Sequence, residues 1–348
     1  MNASWKSFLE TQSATIEAPA IVRFPDAPPS AECCLCDLSH LGLIAVSGDE
    51  GVPFLQGQFT NDVREVSPEH SQLSSHCSPK GRMLANFRLF QRGETLYLQL
   101  PGESLPPLLK RLGMFVLRAK VSLQDATDQL VRIGIAGACA PQLLGARFAH
   151  LPNESGDTTH PNDLTLIRLP GQTPRFEIIG PAEPVQDLWR HLASKATPVN
   201  ADFWALLDLR AGIPTVYPQT TEAFVPQMAN MQLIDGVSFR KGCYTGQEIV
   251  ARMQYLGKLK RRMYLAHVDT DRPPAPGDEL FSPATASGQG TGKIVDARPA
   301  PEGGYDLLAV IDVDSADQAD LHLHDSGGPT LQLRDLPYPF EHNDREAG

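Results

Sequence analysis

The chain has 348 residues, which is enough for two or three domains with substantial cores. Hydrophobic residues make up 41% and charged residues 20%, so the composition is that of a globular protein and excludes a disordered chain. The formal net charge of −11 excludes a protein that is coated with cations along its whole surface for nucleic acid.

Residues 1–36 are predicted to form a flexible N-terminal lead-in. They carry no apolar run of the length that a signal peptide needs, and the chain has no membrane-spanning run, so we expect a cytoplasmic protein with reduced cysteines. Cys33, Cys34 and Cys36 stand close together, but no second pair of ligands follows at a zinc-site spacing. We therefore interpret them as thiols near the start of a strand and predict no metal site.

Residues 37–256 alternate predicted strands with predicted helices, which indicates an α+β region. Strands are expected at 41–47, 83–91, 95–100, 119–123, 130–135, 164–169 and 175–179. Helices are expected from 51, at 105–115, 184–196 and 202–211, and from just after Thr245.

The pattern changes near Gly257, where we place a domain boundary. Residues 257–340 contain short strand-like segments separated by Pro, Gly and Asp turns, which is typical of a small β-barrel or sandwich, and we expect no helix there. Residues 341–348 are predicted to be a tail.

The segment Lys241-Gly242-Cys243-Tyr244-Thr245-Gly246-Gln247-Glu248 precedes one of these helices. Thr245 and Glu248 have the spacing of a capping box, so Cys243 would lie just before a helix start. The helix dipole and the neighbouring Lys241 and Arg240 would favour a thiolate there. Local chemistry leaves two interpretations open: a reactive or ligand-facing thiol, and a structural cysteine in a tight turn.

The same part of the chain is its most basic stretch. Residues 240–262 have a net charge of +6, whereas residues 263–348 hold 16 acidic and 5 basic residues. The basic stretch can be a solvated face, or it can bind an anion such as a polyglutamate tail, a phosphate or an RNA backbone. Its cations are Arg240, Lys241, Arg252, Lys258, Lys260, Arg261 and Arg262.

The eight-residue segment resembles the signature of the YgfZ folate-binding proteins, which are relatives of the glycine-cleavage T protein, an aminomethyltransferase. The resemblance extends from about residue 40 to 340 through four further motifs. These are Gln56-Gly57-Gln58 with Thr60, Asp62 and Val63; His76-Cys77 with Lys80, Gly81 and Met83; Trp204 through Gly212; and Phe224-Val225-Pro226-Gln227 with Asn230.

The resemblance implies a glycine-cleavage T-protein-like ring of three domains, with two interlocked α+β domains and a C-terminal β-barrel. It also implies a tetrahydrofolate site and no metal. The residues that would contact folate are Trp204, Gln227, Asn230, Lys241, Lys80, Arg82, Tyr244 and Gln247. Trp204 can instead be a core tryptophan, Gln227 and Asn230 can be turn amides beside a proline, and Lys80 and Arg82 can be exposed cations in a turn.

Two positions depart from the family pattern. Leu41 stands where the family can have a tryptophan of the folate site, and Asn86 stands where the aminomethyltransferases have an aspartate. An amide cannot act as a general base, so the sequence favours an accessory protein over an enzyme.

The resemblance thus implies a folate-binding protein that supports assembly or repair of iron–sulfur enzymes, including a tRNA methylthiotransferase. Cys243 is the candidate reactive residue, and one thiolate could only bridge to a cluster held by a partner. Two alternatives remain. One is a folate-dependent one-carbon transferase, and the other is a direct tRNA-binding module that uses Lys258, Lys260, Arg261 and Arg262.

Overall fold

The computed structural model describes residues 1–25, 27–28, 31–255, 259–282, 290–318 and 320–340. None of the helices in these ranges combines the length and the apolar character that crossing a membrane requires. The helices are α1 Ala3–Thr11, α2 Gly51–Gln56, α3 Leu105–Val116, α4 Ala140–Gly145, α5 Ala182–Leu192, α6 Ala201–Arg210, α7 Gln247–Tyr255 and α8 Val313–Gln318. The strands are β1 Thr15–Glu17, β2 Ile21–Arg23, β3 Cys33–Asp37, β4 Leu41–Ser47, β5 Gln72–Cys77, β6 Met83–Arg92, β7 Thr95–Pro101, β8 Ser122–Asp125, β9 Val131–Gly137, β10 Thr158–Thr159, β11 Thr165–Leu169, β12 Arg175–Gly180, β13 Thr197–Val199, β14 Arg261–Val268, β15 Glu279–Phe281, β16 Gly292–Pro299, β17 Tyr305–Asp312, β18 His322–Leu323 and β19 Leu331–Arg334.

The chain divides into two compact units, and each unit is assembled from separate stretches of sequence. The first holds residues 1–57, 62–72 and 87–205, and the second holds residues 58–61, 73–86 and those from 206 onward. The division falls within α6, before the boundary that we predicted near Gly257, a residue outside the described ranges. It does so because apolar residues just after α6 share a core with the C-terminal strands. That core includes Leu209, Val216, Phe224, Met263, Leu265 and Val310.

The first unit is organised around a six-stranded sheet with the order β10–β11–β12–β9–β3–β13. Neighbouring strands are antiparallel, except that β13 runs parallel to β3. Alternate residues of a strand point to opposite faces, so one face of the sheet receives the apolar side chains of β9 and β12 together with those of α5. The buried members of this face include Val131, Ile133, Ile135, Phe176, Ile178, Val185, Leu188 and Trp189.

The N-terminal residues belong to the same core, which corrects our prediction of a flexible lead-in. Trp5, Phe8 and Leu9 of α1 are buried at helical spacing, and the Trp5 ring packs edge-on against Trp189 at 5.5 Å. The Trp5 Nε1 also donates a 2.6 Å hydrogen bond to the buried Asp37 carboxylate. These contacts anchor α1, because burial of large aromatic side chains is strongly favourable.

A second sheet in the first unit has the order β6–β7–β4–β8. Arg92 pairs with Thr95, so Gly93 and Glu94 form the turn of the predicted hairpin, and Gly93 has φ +58°. The strand β6 begins in the second unit, where residues 73–77 of β5 are its neighbour. The predicted strand pair and the helix α3 are therefore confirmed.

The second unit contains a six-stranded antiparallel sheet with the order β18–β15–β16–β17–β14–β19. The sheet is curled into a half-barrel. Together with the mixed helices and sheets of the rest of the chain, it confirms the predicted α+β fold class with a C-terminal β-structure. The helix α8 lies between β17 and β18, although we expected no helix there. Ser315 and Ala316, the buried residues of α8, are small, so the sequence pattern carries little apolar signal for it. The predicted tail, residues 341–348, lies outside the described ranges.

The segment after β19 packs against the second unit through Tyr338. The Tyr338 hydroxyl donates to the Gly212 carbonyl oxygen at 2.8 Å, and the Asn230 Nδ2 lies 3.5 Å from the same hydroxyl. A Cβ on Gly212 would lie 2.5 Å from the Tyr338 ring, so the close packing requires glycine. Leu336 packs against the same core.

The cysteines of β3 are not all reduced, in contrast to our expectation. Cys33 forms a disulfide with Cys139, the residue before α4, and links two parts of the chain that are 106 residues apart in sequence. Cys34 and Cys36 are free and buried. The predicted strand start is confirmed, but the pairing could not be foreseen from local spacing.

Candidate functional site

The segment that carries Cys243 lies in the second unit and leads into α7. Gly246 has φ +84°, in the left-handed region that favours glycine. A Cβ at this position would lie 2.4 Å from the Ser78 carbonyl oxygen, so a larger residue would displace the backbone. The helix begins directly afterwards at Gln247, which confirms the predicted helix start.

The motif that contains Lys80 and Gly81 forms the opposing turn. Its backbone is closed by two hydrogen bonds, from the Gly81 N–H to the Ser78 oxygen at 2.9 Å and from the Ser78 N–H to the Arg82 oxygen at 2.8 Å. Gly81 has φ +68°, and a Cβ on it would lie 2.8 Å from Ile249 of α7. The two motif turns are therefore pressed together, and each needs its glycine to make room for the other.

Cys243 is exposed, whereas the other free cysteines among the described residues are buried. Cys77 lies in the core of the same unit, and burial raises the pKa of its thiol to about 12. A thiol of that kind stays protonated and unreactive at neutral pH. Cys243 is thus the thiol in this unit that solvent and a partner can reach.

Lys241 does not face an anion site. Its ammonium group is buried and donates hydrogen bonds to the carbonyl oxygens of Phe59 at 2.5 Å and Asn61 at 3.1 Å, and it lies 4.9 Å from the centre of the Tyr244 ring. Burial also raises the pKa of Tyr244 above its usual value. Both side chains that we predicted to contact folate therefore hold the Cys243 segment in place.

The Gln58–Asn61 stretch of an earlier motif is tied into the second unit in the same way. The Thr60 hydroxyl donates to the Gly236 oxygen at 2.8 Å, and the Asn61 amide donates to the oxygens of Asp235 at 2.6 Å and Leu73 at 3.0 Å. The Lys241 ammonium group also binds this stretch, through the Phe59 carbonyl oxygen. These polar residues act as a scaffold, because each bond fixes a backbone carbonyl.

The two predicted cations of the other turn differ in their surroundings. Arg82 donates to the carbonyl oxygens of Glu222 at 3.1 Å and Ala223 at 2.7 Å, so its guanidinium holds the segment before Phe224. Lys80 is exposed and takes part in none of the ion pairs among the described residues. Gln247 is half-buried at the start of α7. Lys80 is therefore the predicted cation that an anionic ligand could reach.

The two predicted amides are buried beneath the same turns. The Gln227 Nε2 donates to the Val250 oxygen at 2.6 Å, and the Asn230 Nδ2 donates to the Met263 oxygen at 2.8 Å. Asn230 has φ +56°, a conformation that asparagine tolerates better than most residues. Their donor groups serve the backbone, while the amide oxygens Oε1 of Gln227 and Oδ1 of Asn230 are buried and have no hydrogen-bond donor among the described residues.

Trp204 lies in the first unit on the second face of the six-stranded sheet. Its ring covers Gly134 of β9, where a Cβ would lie 2.5 Å from the indole, and it is 2% exposed. The Arg175 guanidinium lies 5.6 Å from the ring centre. This placement favours the core-tryptophan interpretation, although the ring has a polar neighbourhood.

That face also carries charged residues that are not among the predicted site residues. Glu177 and Arg175 alternate along β12 with the buried Phe176 and Ile178, and Glu177 pairs directly with Gly134 beneath the indole. Both charged residues are 1% exposed. The signal was available, because charged residues at alternate positions of an apolar strand indicate a polar buried face.

Asn86 has a structural role in the second unit. Its Nδ2 donates to the Pro214 oxygen at 2.7 Å, and its Oδ1 accepts a hydrogen bond from the Val216 N–H at 2.8 Å. An aspartate could make only the second of these bonds, because its carboxylate has no donor. Both polar atoms of the amide thus hold the segment after α6.

The proposed RNA-binding cations are partly engaged within the protein. The Arg261 Nε donates to Asp312 at 2.8 Å, and the Arg262 guanidinium lies 5.3 Å from the centre of the Phe340 ring. Lys260 is exposed, and Lys258 lies outside the described residues. The net charge of +6 therefore overstates what this stretch offers to a nucleic acid.

His267, Glu302 and Asp306 are close enough in the second unit to suggest a metal site. However, Asp306 accepts hydrogen bonds from Arg210 at 2.7 Å and Arg334 at 2.8 Å, and Glu302 pairs with both arginines. Two guanidinium groups occupy the carboxylate oxygens, so these residues form an ion-pair network and do not fit a cation.

The chain is similar to known proteins over nearly its whole length. No family model matches it. The tRNA-modifying protein YgfZ of Yersinia enterocolitica is 34% identical over 87% of this chain and 92% of its own length. The protein of the same name from Yersinia pestis is 33% identical over 92% and 97%. The crystal structure of the glycine cleavage system aminomethyltransferase T from Bartonella henselae matches with a TM-score of 0.73 at 17% identity over 97% of both chains, which shows a shared fold.

Proposed function

The chain belongs to the family of the tRNA-modifying proteins YgfZ, and on this premise we propose that it is a tetrahydrofolate-binding accessory protein for iron–sulfur enzymes. It would support their assembly or repair and thereby the methylthiolation of tRNA. The observation that carries the proposal is the placement of Cys243, an exposed thiol on a segment fixed by buried contacts.

The role proposed for Cys243 is to bind iron or sulfur of a client protein. A deprotonated thiol is a good ligand for iron, and an exposed one can reach a cluster on another chain. One thiolate supplies one ligand, so the cluster itself stays with the client. The rigid turn lowers the entropy that Cys243 must lose on binding.

The folate site is proposed for the polar face of the first unit. Tetrahydrofolate supplies a carrier for one-carbon groups, and its pterin needs a partner for ring N–H groups and an apolar contact surface. The chemistry of the residues on this face supports the proposal, because Glu177 is a carboxylate that accepts N–H bonds, Trp204 is an aromatic neighbour and Arg175 is a cation for the carbonyl group. These side chains are only 1–2% exposed, so the pterin would have to displace the groups that now cover them.

Two alternatives have less support. A transferase would need a base at Asn86, but an amide is no base, and this one is bonded to Pro214 and Val216. A tRNA-binding module would need the cations after α7, of which Arg261 is paired with Asp312. Neither alternative makes use of the exposed thiol.

The principal test is replacement of Cys243 in cells that depend on this protein for tRNA methylthiolation. We expect Cys243→Ala and Cys243→Ser to abolish the methylthiolated adenosine, measured by mass spectrometry of digested tRNA. Both variants should unfold in urea like the wild type, because the side chain is exposed. Full methylthiolation in either variant would remove the thiol from the mechanism.

Folate binding is tested separately by tryptophan fluorescence. We expect tetrahydrofolate to quench the emission and Trp204→Phe to remove most of the change. Trp189→Phe is the matched control, because Trp189 is buried on the apolar face of the same sheet and should leave the quenching intact. Glu177→Gln should weaken binding about tenfold, as expected from the loss of a charged acceptor. Undiminished quenching in Trp204→Phe would place the folate elsewhere.

A further inference from the structure

The end of α3 exposes three large apolar side chains. Met114, Phe115 and Leu117 are 58%, 37% and 87% exposed. They are three of the five exposed large apolar residues in the part of the chain that the structure describes, and they lie within four positions. Scattered exposed apolar residues are normal, but a cluster of them marks an interaction site.

These side chains are not the core-facing side of an amphipathic helix. Leu105, Leu108 and Leu112 already form the buried face of α3 at helical spacing. This buried face is the one that packs α3 against the rest of the fold. Met114, Phe115 and Leu117 therefore add an apolar surface that the fold itself does not use.

Leu117 also has a backbone conformation that a leucine rarely adopts. It follows α3 with φ +45° and ψ −103°, in a turn that the Ala119 N–H closes by donating to the Val116 oxygen at 2.7 Å. These angles are close to those of the first central residue of a type II′ turn, where glycine dominates. A strained backbone and an exposed leucine at one position both oppose stability, which points to a role outside the fold.

Cations surround the apolar cluster. Residues 105–120 contain four basic residues, Lys110, Arg111, Arg118 and Lys120, and no acidic residue. The Arg111 guanidinium lies 5.8 Å from the centre of the Phe115 ring. Lys110, Arg118 and Lys120 take part in none of the ion pairs formed by the described residues. The surface is thus apolar at its centre and mainly positive at its rim, where the Glu50 carboxylate also lies and accepts a 2.6 Å hydrogen bond from the Lys120 N–H.

We propose that this surface is a docking site for an acidic amphipathic helix of another protein. The α3 patch consists of Lys110, Met114, Phe115, Leu117, Arg118 and Lys120. An amphipathic helix with glutamates beside its apolar stripe has the complementary pattern, with leucines for the centre and carboxylates for the rim. Met114 and Phe115 are of the residue types that are enriched where proteins meet, and methionine adapts to different partners. The proposal does not depend on the roles proposed for Cys243 or folate.

Other anionic partners fit the patch less well. A nucleic acid would use the cations and the Phe115 ring, but it would leave Met114 and Leu117 without an apolar contact. A lipid surface would need a larger apolar face, and Leu105, Leu108 and Leu112 of α3 are buried in the protein. The helix of a protein partner uses both the centre and the rim.

The test measures binding of a fluorescein-labelled peptide of about 18 residues with leucine at helical spacing and flanking glutamates. Fluorescence anisotropy of the full-length protein should show binding that weakens at high salt, because the rim contacts are exposed charge pairs. We expect Met114→Ser with Leu117→Gly, and Lys110→Glu with Arg118→Glu, each to weaken binding at least about tenfold. Leu117→Gly suits the turn, so the double variant should stay folded by circular dichroism.

The matched control is Tyr255→Ser, which removes an exposed aromatic side chain in the second unit and should not change binding. A scrambled peptide of the same composition should not bind. The proposal is overturned if the amphipathic peptide does not bind or if the patch variants bind it like the wild type. Tighter binding of poly(U) or of phosphatidylglycerol vesicles through the same residues would also overturn it.

Discussion

Lys241 shows how a single buried cation can organise a functional segment. Its ammonium group reaches the carbonyl oxygens of Phe59 and Asn61, which are about 180 residues earlier in the chain. A buried charge is tolerated only where hydrogen bonds compensate for lost water. The Cys243 segment is therefore positioned by a neighbour that does not itself need to touch a ligand.

Replacing this cation should destabilise the protein. We expect Lys241→Met to lower the free energy of unfolding by about 2 kcal/mol, because the two carbonyl oxygens lose their charged donor. Lys80→Met is the matched control in the opposing turn, and its exposed side chain should change stability by less than about 0.5 kcal/mol. Urea denaturation of both variants measures the difference. Equal stabilities would show that the ammonium contacts contribute nothing.

The sequence predicts the surroundings of some candidate residues and not those of others. Cys243 was selected from its position before a helix, and it is exposed as a ligand-facing thiol must be. The folate contact of Lys241 and the missing base at Asn86 were inferred from charge and motif position. The hydrogen-bond partners of both residues lie more than 120 residues away in sequence. Local patterns carry no information on such contacts, which form only in the folded chain.

At the scale of elements, the two interlocked turns explain why their glycines are needed. Gly81 and Gly246 have positive φ angles, and each is in contact with the other's turn. The contact fixes the start of α7 against the turn before β6. The position of Cys243 is thus set by two turns that are distant in sequence.

Comparing two glycines separates the stability lost through the steric contact from the stability lost through the left-handed backbone. Gly246→Ala should lower the free energy of unfolding by more than the ~1–2 kcal/mol that a left-handed conformation alone costs an alanine. Gly93→Ala is the matched control, because Gly93 has φ +58° and nothing within 4 Å of the added Cβ. The difference between the two variants, from thermal or urea unfolding, measures the contact. If Gly246→Ala loses no more stability than Gly93→Ala, the two turns do not interlock.

Elements with strong local signals were predicted, and those that depend on distant partners were not. The β6–β7 hairpin has alternating apolar residues around a glycine turn, and both signals are local. The helix α1 has only nine residues, and its stability comes from contacts such as that of Trp5 with Trp189. Short helices are marginal alone, so the sequence of residues 1–36 could not reveal the packing.

At the scale of the whole molecule, the Cys33–Cys139 disulfide links stability to redox conditions. The unfolded protein should present four reactive thiols without reductant and six after reduction. Reduction should lower the free energy of unfolding of the first unit by about 2–4 kcal/mol, since the bond closes a long loop. Cys33→Ser with Cys139→Ser should be insensitive to reductant, whereas Cys243→Ser should keep the effect. Six thiols before reduction would contradict the bond.

The Tyr338 contact has a consequence for the order in which the protein can fold during synthesis. The first unit is complete once Ala205 has left the ribosome, whereas the second begins with Gln58–Asn61 and needs Tyr338 to close on Gly212. Domains generally fold as units as the chain emerges. The carbonyl oxygens of Phe59 and Asn61 must therefore wait without their ammonium donor until Lys241 has been made. This interval is when the nascent chain most needs protection from aggregation.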